Sequence, residues 1–411
     1  MKAKDRLLEF LLGEGLKPLK VASAPGRIDF LNTHQDYKGL PVVAIAVNKR
    51  IYLAAVEETE SVFSIKSLDL EGEPERVFEI TDFTPRGQDF SDYIKACIYS
   101  LLMATKTPIN KGYRIIISSD IPIGSGMGSS GSYEVAFIRL LAELLKIDLP
   151  TMMLAEIAFR AENMVMGIPC GRLDQYAAAY GGVMYLKPTW TPTVLRLNKP
   201  PFYMIVIDSG IKHKTANIHP QRQEEIRRGV QQLLSLDLPD DLREKLEGDH
   251  NAIKWENLKE EDIKPFLQSI DDIPAKRILF TIRMNDLTRI AVKILKDETL
   301  NANDLNRLRQ LGVYAENPKE ILCAIINKQH ELLRDLYDVS LPSIERIIEA
   351  AFEAGACCAK ISGAGLGGSV IAFTDSKDTI NEIIQEVLAE GSKAAWCVDV
   401  DTGARIEDVR I

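Results

Sequence analysis

Long apolar runs are absent from this 411-residue chain, and with them any segment able to span a bilayer. The opening stretch, "MKAKDRLLEFLLGEGLK", carries acids within its apolar part and lacks a small-residue cleavage site. It reads as an amphipathic helix, not a signal peptide. Cysteine is sparse. Cys97, Cys170, Cys323, Cys357, Cys358 and Cys397 form no CxxC pair and no other zinc spacing. Adjacent Cys357 and Cys358 are poor disulfide partners for each other, so reduced thiols in a cytoplasmic protein are expected. A basic surplus is missing too. Lys and Arg number 50 against 59 Asp and Glu, a net charge of −9, which argues against nucleic acid as the main partner. Phosphate would have to be held locally, by backbone N–H groups, a few cations or a metal. No tandem repeat or low-complexity tract is visible.

What is present is ordinary globular composition, 46% hydrophobic and 27% charged. The length exceeds what one compact core holds and suggests two domains. After the first helix, residues 21–58 read as strand, polar loop and strands rich in Val, Ile and Ala. "YRIIISSDIPIGSGMGSSGSYEVAFIRLLAELLKIDL" reads as strand, Gly/Ser loop and helix, with Val135, Ile138, Leu141 and Leu145 near the 3.6 period. A helix is predicted from about Met152 to Met166, broken at "GIPCG". The Pro-rich "KPTWTPTVLRLNKPP" reads as a connection, followed by a strand at 202–211. The domain boundary falls there, giving residues 1–198 and 199–411. Residues 217–350 read as charged helices with solvated faces. The end returns to α/β: helix "SIERIIEAAFEAG", then "CCAKISGAGLGGSVIAF", a helix near 380–390 and a last strand near 395–400.

Four stretches carry chemistry. "PIGSGMGSSGS", residues 122–132, sets three glycines between strand and helix, where backbone N–H groups can converge on an anion. Ser129 and Ser130 can add hydroxyls. The loop lacks the GK[ST] ending of a Walker A motif, which excludes that phosphate site and its lysine. "SGAGLGG", residues 362–368, enters a strand instead of opening a helix and so fails as a Rossmann fingerprint. Alone it is equally a tight turn with close backbone packing. "APGRIDFLNTHQDY", residues 24–37, gathers Arg27, Asp29, His34 and Asp36 beside a turn, though alone it reads sooner as a solvated loop with a local Arg–Asp pair. A fourth stretch, "GRLDQYAAAYGG" at 171–182, sets Asp174 in apolar surroundings where an unpartnered acid is costly.

Together, and in their order along the chain, these stretches resemble the GHMP kinase family and most closely its galactokinase branch. "APGR" with "HQDY" is similar to the galactokinase N-terminal motif APGRxNxxGEHxDY, "PIGSGMGSS" to the ATP-phosphate loop, "AENMVMGIPCGRLDQYAAAYGG" to the stretch with the catalytic aspartate, and "KISGAGLGGSVIAF" to the third motif. The resemblance runs over nearly the whole chain. It implies an α+β, two-domain GHMP kinase fold, with a ribosomal S5 domain 2-like N-terminal domain and a ferredoxin-like C-terminal domain. It implies an ATP-dependent kinase acting on the anomeric C1 hydroxyl of a galactose-like sugar.

By the same resemblance Asp174 faces the acceptor hydroxyl and Arg27 completes the site. Gly124, Ser125, Gly126, Met127, Gly128, Ser129 and Ser130 bind ATP. Ser130 and Glu162 hold Mg²⁺. Thr33, His34, Asp36 and Gly171 bind the sugar. The chain departs from the pattern at Thr33, where the family has a glutamate that receives the C6 hydroxyl. That departure makes galacturonate and L-arabinose rival acceptors. A tyrosine is usual near His219, and Asp29 replaces the usual asparagine. Competing readings are a mevalonate- or homoserine-type kinase and a galactokinase-like sensor that binds without turnover. No nucleic-acid or membrane partner is expected, and the choice between monomer and dimer stays open.

Overall fold

The computed structural model describes residues 1–411 except 71, 88, 212–217, 249–252 and 410–411. Two sheets organise it. The larger is built from β1 (Lys20–Leu31), β2 (Val42–Thr59), β3 (Val62–Ser67), β4 (Arg76–Glu79), β5 (Gly112–Ser119), β6 (Val183–Lys187), β7 (Thr193–Leu197) and β12 (Arg405–Glu407). Its main order is β12-β1-β2-β5-β3-β4, with β6 and β7 added on β2. The smaller has the order β11-β8-β10-β9, from β8 (Tyr203–Asp208), β9 (Cys358–Ser362), β10 (Ser369–Thr374) and β11 (Ala394–Val398).

Helices α1 (Ala3–Gly13), α2 (Ser91–Thr105), α3 (Ser129–Leu144), α4 (Thr151–Arg160) and α5 (Leu173–Tyr180) accompany the larger sheet. The rest follow β8: α6 (Ile218–Leu234), α7 (Asp240–Leu246), α8 (Glu260–Leu267), α9 (Asp272–Leu295), α10 (Ala302–Gln310), α11 (Pro318–Asp335), α12 (Pro342–Glu353) and α13 (Ile380–Ala389). Among the described residues no helix is long and apolar enough to cross a membrane. All six cysteines are free thiols.

The sequence explains the elements that matter for the site. In β1, Ile28 and Phe30 are fully buried in the core, so by the period-2 rule Arg27 and Asp29 share the opposite face. The register against β2 shifts after Pro25 and again after Asp29, the bulges that bend the strand around these two side chains. In α12 the buried Ile344, Ile347, Ile348 and Ala351 repeat at helical spacing and seat it on the smaller sheet.

Four expectations need correction. The helix predicted to Met166 is α-helical only to Arg160 and continues as a π-turn over Ala161–Val165, which sequence periodicity does not reveal. The Pro-rich connection contains β7, whose prolines lie outside the paired residues. The strand near 395–400 is not the last, because three residues of β12 return to β1, with Val21 opposite Glu407. Finally, the charges of 217–350 are not all solvated. Arg277 is 2% exposed and donates to Glu225 of α6 at 2.7 Å and to Asp338 at 2.6 Å. Spacing along one helix cannot distinguish a solvated charge from one paired across helices.

Candidate active site

A cleft of about 1550 Å³ is lined by the glycine loop from Ile121 to Gly128, the second half of β1, the 33–40 segment, the start of α5 and Gly363 and Ala364 of the second glycine loop. That volume exceeds the roughly 300–1,000 Å³ of a single small-ligand site and leaves room for two substrates.

The phosphate-loop candidate joins β5 to α3. Gly124, Gly126 and Gly128 have φ of 72°, 75° and 72°, a conformation that glycine adopts without penalty. Gly128 precedes α3 and no side chain caps the helix, so its first N–H groups and dipole remain available to an anion. Ser129 and Ser130 stand at that terminus and line the cleft. Ser125 and Met127 serve the loop instead. Ser125 is buried with its hydroxyl donated to Pro122 O at 2.8 Å, and Met127 lies in the core. The second glycine loop buttresses the first: Ser369 donates to Ser125 O, and a Cβ on Gly363 would stand 3.5 Å from Gly126 O.

Arg27 and Asp174 form a two-pronged ion pair, Nε to Oδ1 at 2.8 Å and Nη2 to Oδ2 at 2.8 Å. Arg27 also donates to Gly126 O, and its N–H to Met127 O at 2.9 Å, which ties β1 and α5 to the glycine loop. The guanidinium is 8% exposed and the carboxylate 28%, so the acid faces the cleft and the cation stands behind it. Asp174 is in the first turn of α5 and is not its cap; Arg172 holds that position. The crossing of α3 and α5 needs Gly131, where a Cβ would lie 2.9 Å from Asp174 Cβ.

Glu162, in the π-turn, is buried and accepts from Gln175 Nε2 at 2.6 Å. Burial and the charge of Asp174 push its carboxyl up to about 7, opposed by hydrogen bonds from Ser130, Gln175 and Cys170. Glu134 of α3, fully buried, accepts from the same Gln175 nitrogen at 3.1 Å, and burial raises its carboxyl well above the usual range.

At the other end His34 sits at φ 67° after Asn32 at φ 66°, two residue types that tolerate this region. His34 Nε2 donates to Ala364 O at 3.1 Å, while Nδ1 accepts from Tyr37 Oη at 3.2 Å. Tyr37 meets Tyr337 Oη at 2.7 Å, and the His219 ring centroid lies 5.1 Å from that of His34. Asp36 is half-buried and packs against Gly171 so closely that a Cβ at 171 would overlap its carboxylate. Burial, then the charge of Asp29, pushes Asp36 up to about 6. Thr33, expected to face a C6 substituent, has its hydroxyl engaged by Lys360 Nζ at 2.9 Å and by the Asp29 carboxylate.

Three family models match the chain: the GHMP kinases N terminal domain over residues 92–182, the GHMP kinases C terminal domain over 301–393, and the galactokinase galactose-binding signature over 12–56. The chain is a GHMP kinase. It is 26% identical to a galactokinase of Thermotoga petrophila over 92% of this chain and 95% of that one. It is 25% identical to a galactokinase of Chloroflexus aggregans over 91% and 88%. Its fold matches the Lactococcus lactis galactokinase complexed with galactose at a TM-score of 0.77, with 21% identity over 98% and 99% of the two chains.

In this GHMP kinase the expected site residues converge on one cleft, Ser125 alone lying off its lining. Sequence reasoning missed Glu134, Gln175, Lys360 and Tyr337. Glu134 was detectable as an acid on the apolar face shared with Ile138 and Leu141. Gln175 sits in the small-residue run beside Asp174. Lys360 lies in a five-residue strand that is buried throughout, an improbable place for an unpaired lysine. Tyr337 leaves no local signal, because its partners come from distant segments.

Proposed function

We propose that this GHMP kinase transfers the γ-phosphoryl group of ATP to the anomeric C1 hydroxyl of a galacto-configured sugar. The observation that carries the reading is the Asp174 carboxylate, open to the cleft, gripped by Arg27 and set beside the glycine loop. The galactose-binding signature over 12–56 supports the choice of acceptor over a mevalonate- or homoserine-type substrate.

On this reading the triphosphate lies over 124–130, where backbone N–H groups and the α3 dipole hold it. The apolar wall of Phe90, Tyr93, Ile117 and Ile121 takes the base. Asp36, His34 and the backbone at Gly171 hold ring hydroxyls. Asp174 accepts the C1 hydroxyl proton as the oxygen bonds to the γ-phosphorus. The bond from that phosphorus to the β,γ-bridging oxygen breaks, and ADP leaves. Arg27 keeps Asp174 aimed and balances charge that grows on the phosphoryl oxygens.

Ser130 and Glu162 offer two oxygen donors beside the loop, a set that suits Mg²⁺, which retains waters and takes phosphate oxygens. Glu162 is also a buried acid facing other acids, an environment that a dication relieves. Bound there, Mg²⁺ would screen the negative charge of the phosphates. Residues 1–198 then form the lobe that carries the phosphate loop, and 199–411 the lobe that closes the cleft.

A coupled ADP-release assay against D-galactose, D-galacturonate, L-arabinose, N-acetylgalactosamine and mevalonate tests the reading. Turnover with a galacto-configured sugar is expected. Turnover with mevalonate alone, or with none of the five, would overturn it.

A further inference from the structure

β9 belongs to the smaller sheet, yet Lys360 and Ser362 on it reach the end of β1 in the larger one. The Asp29 N–H donates to Ser362 Oγ at 3.0 Å. Lys360 Nζ donates to the Asp29 carbonyl at 2.9 Å and to Thr33 Oγ1 at 2.9 Å. Two residues beyond Ser362, the Ala364 carbonyl takes His34 Nε2 at 3.1 Å. Lys360 and Ser362 follow the two-residue repeat of β9, and the Ala364 carbonyl in the loop just beyond it adds a third point of grip on segment 29–34.

Packing alone does not call for a lysine here. Its side chain is fully buried, and a buried ammonium is costly unless it is paired. Burial brings Lys360 down to about 8, with the charge of Asp29 opposing the fall and that of Arg27 adding to it. Asp29 is raised by burial, and Lys360 is the largest influence opposing that rise, ahead of Arg27. Asp29 Oδ1 is closed to water and has no hydrogen-bond partner among the described residues. The two charges therefore offset each other, with Arg27 and the Thr33 hydroxyl as the lesser supports of Asp29.

The pair also accounts for two departures from the galactokinase pattern. Position 29 carries Asp in place of Asn, and position 33 Thr in place of Glu. One amine balances the new acid and takes the threonine hydroxyl. A glutamate at 33 would bring a second carboxylate to the same cation.

We propose that Lys360 is a positioning residue for the acceptor. Through Asp29 and Thr33 it fixes the segment that presents His34 and Asp36 to the cleft, and it does not itself line that cleft. The inference rests on the acceptor reading above. ADP release by the full chain, with D-galactose and D-galacturonate at varied concentration, tests it alongside thermal unfolding of each variant.

Lys360→Met is expected to raise the sugar KM about tenfold and to leave the ATP KM within about twofold of wild type. Lys360→Arg keeps the charge and is expected to recover most of the loss. Asp29→Asn combined with Lys360→Met removes both ions, and its sugar KM is expected to rise less than that of Lys360→Met alone. A purely structural lysine would lower the unfolding temperature and leave the sugar KM unchanged, which would overturn the proposal. A double variant impaired by the product of the two single effects would overturn it as well. If Lys360→Met does not fold, Lys360→Arg and the double variant decide, the first expected near the wild-type sugar KM and the second expected folded. A wild type silent with every galacto-configured sugar of the five-compound assay would refute the acceptor reading first, a failure seen before any variant is made; turnover with another of them moves the test to that sugar.

Discussion

Asp174 is the residue on which the chemistry turns, and its environment sets what a substitution should do. Asn keeps the shape and loses both the charge and the capacity to take a proton. Asp174→Asn is expected to lower kcat by roughly 10²–10⁴-fold, the typical contribution of a general base, with ATP affinity largely retained. Steady-state kinetics together with nucleotide titration checks this, and wild-type turnover in the variant would remove the assigned role. Asp36 offers a pH test. Its folded-state carboxyl is pushed up to about 6 from 3.8, first by burial and then by the charge of Asp29. Between those values the native state holds a proton that the unfolded state has released, so this group's contribution to stability falls as pH rises through the window. As an acceptor for sugar hydroxyls Asp36 acts ionised, so the sugar KM is expected to rise as pH drops below about 6. A sugar KM that is flat across that range would exclude Asp36 from binding. At this scale the sequence was informative wherever a motif carried the residue, as for Arg27, His34 and Asp174. It was silent on pairings that join distant segments, as for Tyr337 with Tyr37 and for Lys360, the first residue of the third motif, with Thr33.

The helices and loops translate those residues into geometry. Gly131 is the point where α3 crosses the start of α5, and a Cβ there would lie 2.9 Å from Asp174 Cβ and 3.1 Å from Gln175 N. Neither is the far end of a flexible side chain, so one helix has to shift. Gly131→Ala is expected to cost about 1–3 kcal/mol of stability, the usual range for overpacking. It should also lower kcat more than it raises the ATP KM, because the shift falls on Asp174. Chemical denaturation with steady-state kinetics reads both, and a variant as stable and active as wild type would mean that the crossing yields without strain. Element type was legible where periodicity is long, as in α3 and α12. The π-turn at Ala161–Val165 was not, because the helix ends with it and no downstream residues remain in which a shifted hydrophobic spacing could show. β7 was hidden among prolines and β12 by its length of three residues.

Across the whole molecule, β12 closes the edge of β1, and the segment leading into it is anchored. Arg50 donates to Asp401 at 3.0 Å and to the carbonyls of Thr402 and Gly403 at 2.9 Å and 3.0 Å. Ser23 donates to Glu407 across 384 positions of sequence. Removing residues 400–411 is therefore expected to uncover β1, leave the buried Arg50 with Ser23 as its remaining acceptor and lower stability by several kcal/mol, of order 3–5 for the broken ion pair alone. Thermal unfolding of the truncated chain checks this, and an unchanged midpoint would show that the strand is ornamental. The two-lobed plan was visible in the return to α/β text after 350, but nothing local marks a short strand that rejoins the sheet it left so long before.

That pairing has a consequence for how the protein is made. A ribosome releases β1 long before β12, so the first sheet waits with a raw edge while the more than 370 residues between them are still being synthesised. Nascent chains stalled before residue 400 should remain sensitive to protease in the β1 region and become resistant only once β12 has emerged.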